Sequence, residues 1–157
     1  MLAKKELFNN LLNQVKEIIE NQSDRVEKLD DICLLLRDNV MYYDWVGFYL
    51  INPLKKTELL LGPFAGAPTE HVKITFGKGI CGQAAETKST IIAQDVSKEI
   101  NYLSCSPIVK SEIVVPIVKN ERFIGELDID SNDISAFSED DKEFLEEVCT
   151  LLANNLF

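Results

Sequence analysis

The segment PIVKNERFIGELDID, residues 116–130, ends in a run in which acidic and apolar side chains alternate. Successive side chains of a β-strand point to opposite faces of the sheet. The alternation predicts an apolar face with Phe123, Leu127 and Ile129, and an acidic face with Glu126, Asp128 and Asp130. Carboxylates on one strand face repel each other. The acidic face is therefore either a solvated surface or the floor of a polar pocket that binds a cation or shares a proton.

The rest of the chain alternates between helical and strand periodicity. Apolar spacing and capping residues predict helices at residues 2–19, 26–36 and 83–87, and a last helix behind a Ser138/Asp141 capping box. Aromatic, β-branched and alternating segments predict strands at residues 45–51, 58–61, 72–76, 90–93, 112–118 and 122–130, with a loop at residues 62–68. This order predicts one α+β domain over residues 1–157, an antiparallel sheet of five to six strands with the N- and C-terminal helices packed on one face.

Composition excludes several classes of partner. The 157 residues carry a net charge of −10 and a pI near 4.6. Nucleic acids and anionic membrane surfaces both require clustered lysine and arginine, so neither is an expected partner. The N-terminal segment is charged and amphipathic, and no apolar run approaches the roughly 18 residues that span a bilayer. These features predict a cytoplasmic protein with reduced cysteines.

Two of the four cysteines fit a packed core. Cys33 and Cys149 lie on apolar helical stripes, where a free thiol behaves as a small hydrophobic group. The cysteine spacings contain no CxxC pair, and His71 is the single histidine. This pattern predicts no zinc site.

Cys81 follows a glycine turn. The turn, residues 77–79, lacks the spacing of a dinucleotide or P-loop motif, and glycine conformational freedom is enough to explain it. The turn places Cys81 near a helix N-terminus, where the helix dipole stabilises a thiolate. A reactive thiol and a packed thiol are both compatible with this position.

Cys105 lies on no apolar stripe. It is flanked by Ser104 and Ser106 in an irregular segment, residues 95–111, of the length expected for a functional loop. A thiol nucleophile, a redox switch and a tolerated surface cysteine are all compatible with this position. Redox chemistry there requires an accessible sulfur and often a resolving partner.

Five motifs in order give a more specific signal. They are WVGFYL at residues 45–50, GPF at 62–64, GKGICG at 77–82, SEIVVP at 111–116 and GELDIDS at 125–131. Together they resemble the free methionine-(R)-sulfoxide reductases, a family of single GAF-domain enzymes, over essentially the whole chain.

The resemblance implies a thiol-dependent oxidoreductase without a bound cofactor or metal. It implies that Cys105 attacks the sulfoxide sulfur of free L-methionine-(R)-sulfoxide and that Cys81 resolves the sulfenic acid as a disulfide. It implies that Glu112, Asp128 and Asp130 hold the substrate ammonium and help protonate the sulfoxide oxygen. Further implied features are an aromatic wall formed by Trp45 and Tyr49, a thioredoxin-like reductant and a homodimer.

The chain also departs from the family pattern. Family members commonly carry a third cysteine near the position of residues 69–71, which are Thr-Glu-His here, and an aspartate where this chain has Ser106. Three alternatives stay open: Cys81 resolves Cys105, an external thiol reduces the Cys105 sulfenic acid directly, or the activity has been lost. Glu126 gains no support from the resemblance, and an ordinary surface position stays open for it. The alternative function is a GAF module that binds or senses a small molecule without turnover.

Overall fold

The computed structural model describes residues 2–103 and 107–157. The helices are α1 (Leu2–Glu20), α2 (Arg25–Asn39), α3 (Gly79–Thr87) and α4 (Glu139–Leu156). The strands are β1 (Trp45–Asn52), β2 (Lys55–Ala65), β3 (Lys73–Thr75), β4 (Ile91–Ala93), β5 (Ser111–Lys119) and β6 (Arg122–Ser131). The strands form one antiparallel sheet in the order β3-β2-β1-β6-β5-β4. The predicted antiparallel α+β architecture is confirmed.

The main hydrophobic core lies between the sheet and helices α1, α2 and α4. Phe48, Leu127 and Ile129 from the sheet are fully buried there. Cys33 and Cys149 lie in the same core, which confirms the prediction that both are packed thiols. Burying one large apolar side chain contributes about 1.5–3 kcal/mol, so this layer holds the sheet in place.

Helix α3 covers the opposite face of the sheet. Ile80, Ala84 and Ala85 of α3 pack with Tyr49 and other residues of a second buried cluster. The close approach requires Gly82, because a Cβ at that position would lie 2.6 Å from the Thr75 carbonyl oxygen. The acidic face of β6 therefore lies beneath a helix and not in solvent.

A β-bulge near the start of β6 corrects one predicted side-chain direction. Ile117 pairs with Gly125 but Val118 pairs with Phe123, so β6 has one additional residue, Ile124, at this point. Because side chains alternate between the two faces of a sheet, one inserted residue moves the side chains beyond the bulge to the opposite face from the one that strict alternation predicts. Phe123 therefore lies on the α3 side, where its ring is 5.5 Å from that of Phe76. The prediction that Phe123 shares a face with Leu127 and Ile129 is wrong.

Strand β2 continues further than the sequence predicted. It reaches Ala65, so the first part of the predicted loop at residues 62–68 is strand. This extension lets the Phe64 ring stack on Trp45, with the ring centroids 5.5 Å apart.

Helix α4 begins with the predicted capping box of Ser138 and Asp141. The buried Asp141 carboxylate also accepts hydrogen bonds from the hydroxyls of Tyr42 and Tyr43, at 2.6 and 2.8 Å, and from Lys4 Nζ at 2.7 Å. These contacts lower the pKa of Asp141 although burial opposes them. Within the described ranges, no helix is long and apolar enough to cross a membrane.

Candidate active site

Strands β5 and β6 bring the predicted carboxylates together. Glu112 pairs with Asp130 across the two strands. Asp128 lies two residues before Asp130 on β6, so it is on the same face of the sheet. Glu112 is 5% exposed, and Asp128 and Asp130 are 1% exposed. The hypothesis that these side chains form a pocket floor therefore agrees with where the structure places them.

Glu126 belongs to the same buried face. It is fully buried, so the interpretation that it is an ordinary surface residue is wrong. The solvated-face interpretation fails for the same reason, since α3 packs over this side of the sheet. The period-2 alternation that selected Asp128 and Asp130 also selected Glu126. The sequence did not reveal that α3 packs over this face of the sheet.

Burial dominates the electrostatics of these acids. It raises the pKa of Glu126, Asp128 and Asp130, and the charge of Asp128 raises the pKa of Glu126 and Asp130 further. Neither ion pair of the described chain involves these residues. Both oxygens of Glu126, both of Asp130 and Oδ1 of Asp128 lack a hydrogen-bond partner among the described residues. Buried carboxyl groups in this condition either hold a proton or bind a cation.

Cys81 lies above the acids in the first turn of α3. Its Sγ is 4.0 Å from Glu112 Oε2. The position near a helix N-terminus is confirmed, but burial and the charges of Asp128, Glu126 and Glu112 raise the pKa of the thiol. A helix dipole contributes only about 0.3–1 kcal/mol, so it does not offset this environment. Of the two alternatives for Cys81, a packed thiol fits this environment better than a dipole-stabilised thiolate.

Trp45 and Tyr49 lie on the same side of the sheet as the acids, directly across from Asp130 and Glu126 respectively. Trp45 Nε1 donates to the Ala67 carbonyl at 2.9 Å, and the Tyr49 hydroxyl donates to the His71 carbonyl at 2.7 Å. Gly47 lets the indole fold over the strand, because a Cβ there would lie 2.4 Å from the Trp45 ring. The two aromatic side chains are therefore fixed in orientation.

Two small cavities lie among these groups. The thiol cavity, about 10 Å³, is lined by residues that include Tyr49, Cys81, Glu112 and Asp128. The indole cavity, about 80 Å³, is lined by residues that include Trp45, Pro68, Ile108 and Asp130. His71 and Lys78 also line the thiol cavity, and neither stood out in the sequence as a site residue. The arrangement offers carboxylates, a thiol and aromatic walls to a small polar ligand.

A larger depression of about 540 Å³ lies elsewhere, between β5 and α4. Its lining includes Lys88, Pro116, Lys142 and Glu146 but none of the buried carboxylates. Perturbed titratable groups and buried polar atoms without partners mark functional sites better than volume does. We therefore place the candidate site at the acid cluster.

Cys105, together with Ser104 and Ser106, lies outside the described residues. The described residues on either side of this segment approach the two cavities. Leu103 lines the thiol cavity, and Ile108 and Val109 line the indole cavity. The chain on both sides of Cys105 therefore belongs to the candidate site.

Replacing Glu126 by glutamine is expected to stabilise the ligand-free protein at neutral pH by about 1–2 kcal/mol, because a neutral isostere removes the cost of burying an ionisable carboxyl group and also its repulsion with Asp128. For this chain length that is a rise in Tm of roughly 2–8 °C. Folding raises the pKa of Glu126, so the wild type loses stability as the pH rises above the unfolded value of about 4.3. The Tm of Glu126→Gln minus that of the wild type, measured by thermal unfolding, should therefore increase from pH 5 to pH 8.

The matched control is Glu147→Gln, which removes one negative charge from an exposed position on α4. It should change the Tm by at most about 2 °C, since exposed substitutions usually change stability by less than about 0.5 kcal/mol. A Glu126→Gln protein that is less stable than the wild type at pH 8 would show that the buried carboxylate has a favourable partner.

The fold and site define a class of protein. The family model of the GAF domain matches residues 24–156. The chain belongs to the GAF-domain family, and within it to the group of the free methionine-R-sulfoxide reductases. One such reductase, from Saccharomyces cerevisiae, is 37% identical over 156 residues, which cover 96% of this chain and 86% of the relative.

Solved structures give the same result. The free methionine-R-sulfoxide reductase of Neisseria meningitidis, in complex with its substrate, is 34% identical with a TM-score of 0.91 and covers 98% of this chain and 90% of its own. The Staphylococcus aureus enzyme, also in complex with substrate, is 38% identical with a TM-score of 0.86, over 96% of this chain and 95% of its own. These matches confirm the resemblance identified from the five sequence motifs, and the free methionine-R-sulfoxide reductases are oxidoreductases.

Proposed function

We propose that this protein reduces free L-methionine-(R)-sulfoxide to methionine. The observation that carries the proposal is the set of buried carboxylates, Glu112, Asp128 and Asp130, facing Trp45 and Tyr49 in a chain related to reductases of this substrate. Both carboxyl oxygens of Asp130 and Oδ1 of Asp128 have no hydrogen-bond partner among the described residues, and buried polar atoms in this condition are typical of a ligand site.

The carboxylates suit the ammonium group of a free amino acid. Three acids around one cation replace its hydration shell, and hydrogen bonds between charged groups are the strongest available. A methionine sulfoxide inside a peptide carries no α-ammonium, so it would leave the buried acids uncompensated. The same groups therefore explain a preference for the free amino acid. The aromatic rings of Trp45 and Tyr49 would enclose the S-methyl group.

The proposed chemistry starts at Cys105. Its thiolate attacks the sulfoxide sulfur while a carboxyl group with a raised pKa, at Asp128 or Asp130, protonates the sulfoxide oxygen. The protonated oxygen then moves to the cysteine sulfur, as the sulfur–oxygen bond of the substrate and the new sulfur–sulfur bond both break. Methionine leaves, reduced by two electrons, and Cys105 becomes a sulfenic acid, oxidised by two electrons.

We assign the resolving step to Cys81. It is the described cysteine that lines the thiol cavity, whereas Cys33 and Cys149 lie in the core on the other side of the sheet. Its thiol attacks the Cys105 sulfenic acid, a disulfide forms and water leaves. A thioredoxin-like dithiol then reduces the disulfide. Because burial and the nearby carboxylates raise the pKa of Cys81, disulfide formation should be slow relative to the first step.

An assay with separate substrate epimers tests the function directly. With dithiothreitol as reductant, the purified protein should convert free L-methionine-(R)-sulfoxide to methionine and leave the S epimer and an N-acetylated, amidated methionine sulfoxide at least about 100-fold less reduced. Methionine formation is measured by chromatography. A folded protein that binds the R epimer in calorimetry but forms no methionine would support the non-catalytic binding module instead.

A further inference from the structure

The thiol cavity places three potential metal ligands side by side. One ligand atom each from Cys81, Glu112 and Asp128 lies within 4.8 Å of the other two, and Cys81 Sγ is 4.0 Å from Glu112 Oε2. Tetrahedral Zn²⁺ with bonds of about 2.0–2.3 Å holds its ligand atoms about 3.3–3.8 Å apart. A contraction of at most about 1.5 Å would bring the three atoms to this spacing.

A second observation indicates a missing positive charge. Asp128 Oδ1 is buried without a hydrogen-bond partner in the described chain, and both oxygens of Glu126 are in the same condition. No described ion pair neutralises either residue. Glu112 and Asp130 are buried on the same face of the sheet, so four carboxyl groups that can give up a proton to a cation lie together. The site can therefore accept a divalent cation.

We propose that Cys81, Glu112 and Asp128 bind a thiophilic divalent cation, Zn²⁺, with a water molecule as fourth ligand, and that this ion excludes the amino-acid substrate. The thiol selects the metal, because Mg²⁺ and Ca²⁺ prefer oxygen ligands while Zn²⁺ accepts sulfur and oxygen together. Glu112 and Asp128 cannot hold an ammonium group and the ion at once. Zn²⁺ thus inhibits the enzyme reversibly; the inhibition rests on the proposed function, but the binding does not.

The sequence spacing gave no indication of this cluster. Cys81 and Glu112 are 31 residues apart, on α3 and β5, and Asp128 comes from β6. The prediction that no zinc site is present followed from the absence of closely spaced cysteine and histidine ligands. The cluster depends on the packing of α3 against the sheet, which no local motif encodes.

Cobalt provides a direct test of thiolate ligation. Co²⁺ is titrated into a Cys105→Ser variant under a phosphine reductant, so that Cys105 cannot contribute and no turnover occurs. A near-ultraviolet thiolate-to-cobalt charge-transfer band should grow to one equivalent, and Zn²⁺ should remove it. Adding Cys81→Ser should abolish the band and weaken Zn²⁺ binding at least tenfold.

Two further variants separate ligation from misfolding. Glu112→Gln replaces one proposed ligand by its neutral isostere and keeps the Cys81 thiol. The protein should therefore stay folded while Zn²⁺ binding weakens at least tenfold. Cys33→Ser removes a buried thiol in the opposite core and should leave both the band and the affinity unchanged. A band that persists without Cys81, or Zn²⁺ binding no tighter than about millimolar, would overturn the proposal.

Competition tests the second half of the proposal. In the wild-type protein Zn²⁺ should raise the KM for methionine sulfoxide without lowering kcat, and saturating substrate should displace Co²⁺ and remove its band. Simultaneous binding of metal and substrate would refute the exclusion. If turnover is absent while the cobalt band forms normally, the proposed function fails and the metal site stands.

Discussion

Replacing Cys105 by serine is expected to abolish methionine formation, with kcat/KM falling at least about 10³-fold. A serine hydroxyl is hardly ionised near neutral pH and is a much weaker nucleophile than a thiolate, and it cannot be oxidised to a sulfenic acid. The substitution removes one sulfur atom and leaves the carboxylates Glu112, Asp128 and Asp130 in place. Substrate binding, measured by calorimetry, should therefore persist while chemistry stops.

Cys33→Ser is the matched control for this variant. Cys33 is fully buried in the core of α1, α2 and α4, and its Sγ lies 3.5 Å from the Pro63 carbonyl oxygen. The serine should lower the free energy of unfolding by about 1–2 kcal/mol and leave kcat/KM within a factor of two at 25 °C. Substantial turnover by Cys105→Ser that disappears in a Cys105→Ser/Cys81→Ser double variant would identify Cys81 as the attacking thiol.

Local sequence patterns predicted most of the fold because each depends on neighbouring residues. Helical periodicity located α1, α2 and α4, and the Ser138/Asp141 pair located the start of α4. Strand alternation assigned Leu127 and Ile129 correctly to the core face. It failed at Phe123, because the bulge at Ile124 depends on the register between β5 and β6 and not on the composition of β6 alone.

The electrostatics of the site could not be predicted in the same way. The acidic alternation marked Glu126, Asp128 and Asp130, but their burial follows from the packing of α3, which Gly82 allows. The raised pKa of Cys81 likewise comes from carboxylates on β5 and β6, far along the chain. The helix N-terminus is a local feature, so the sequence predicted it. The carboxylates, which affect the Cys81 pKa more strongly than the helix dipole does, are distant in sequence, so their effect could not be predicted.

Replacing Asp128 by asparagine is expected to raise the KM for methionine sulfoxide about 10²–10³-fold, which corresponds to roughly 3–4 kcal/mol. Asparagine keeps the shape of the side chain but removes the charge that we propose pairs with the substrate ammonium. The loss should not come from unfolding. Burial already raises the pKa of Asp128, so a neutral side chain should leave the ligand-free protein at least as stable as the wild type.

Asp133→Asn is the matched control, since it removes the same charge from an exposed residue that follows β6. It should leave KM unchanged within a factor of two. A substrate analogue without the amino group, 4-(methylsulfinyl)butanoate, completes a thermodynamic cycle. The wild type should bind this analogue weakly, and Asp128→Asn should weaken its binding no further, because the two changes remove the same interaction. If the effects of the two changes simply add, Asp128 acts on another part of the substrate, and the sulfoxide oxygen is then the group that it contacts.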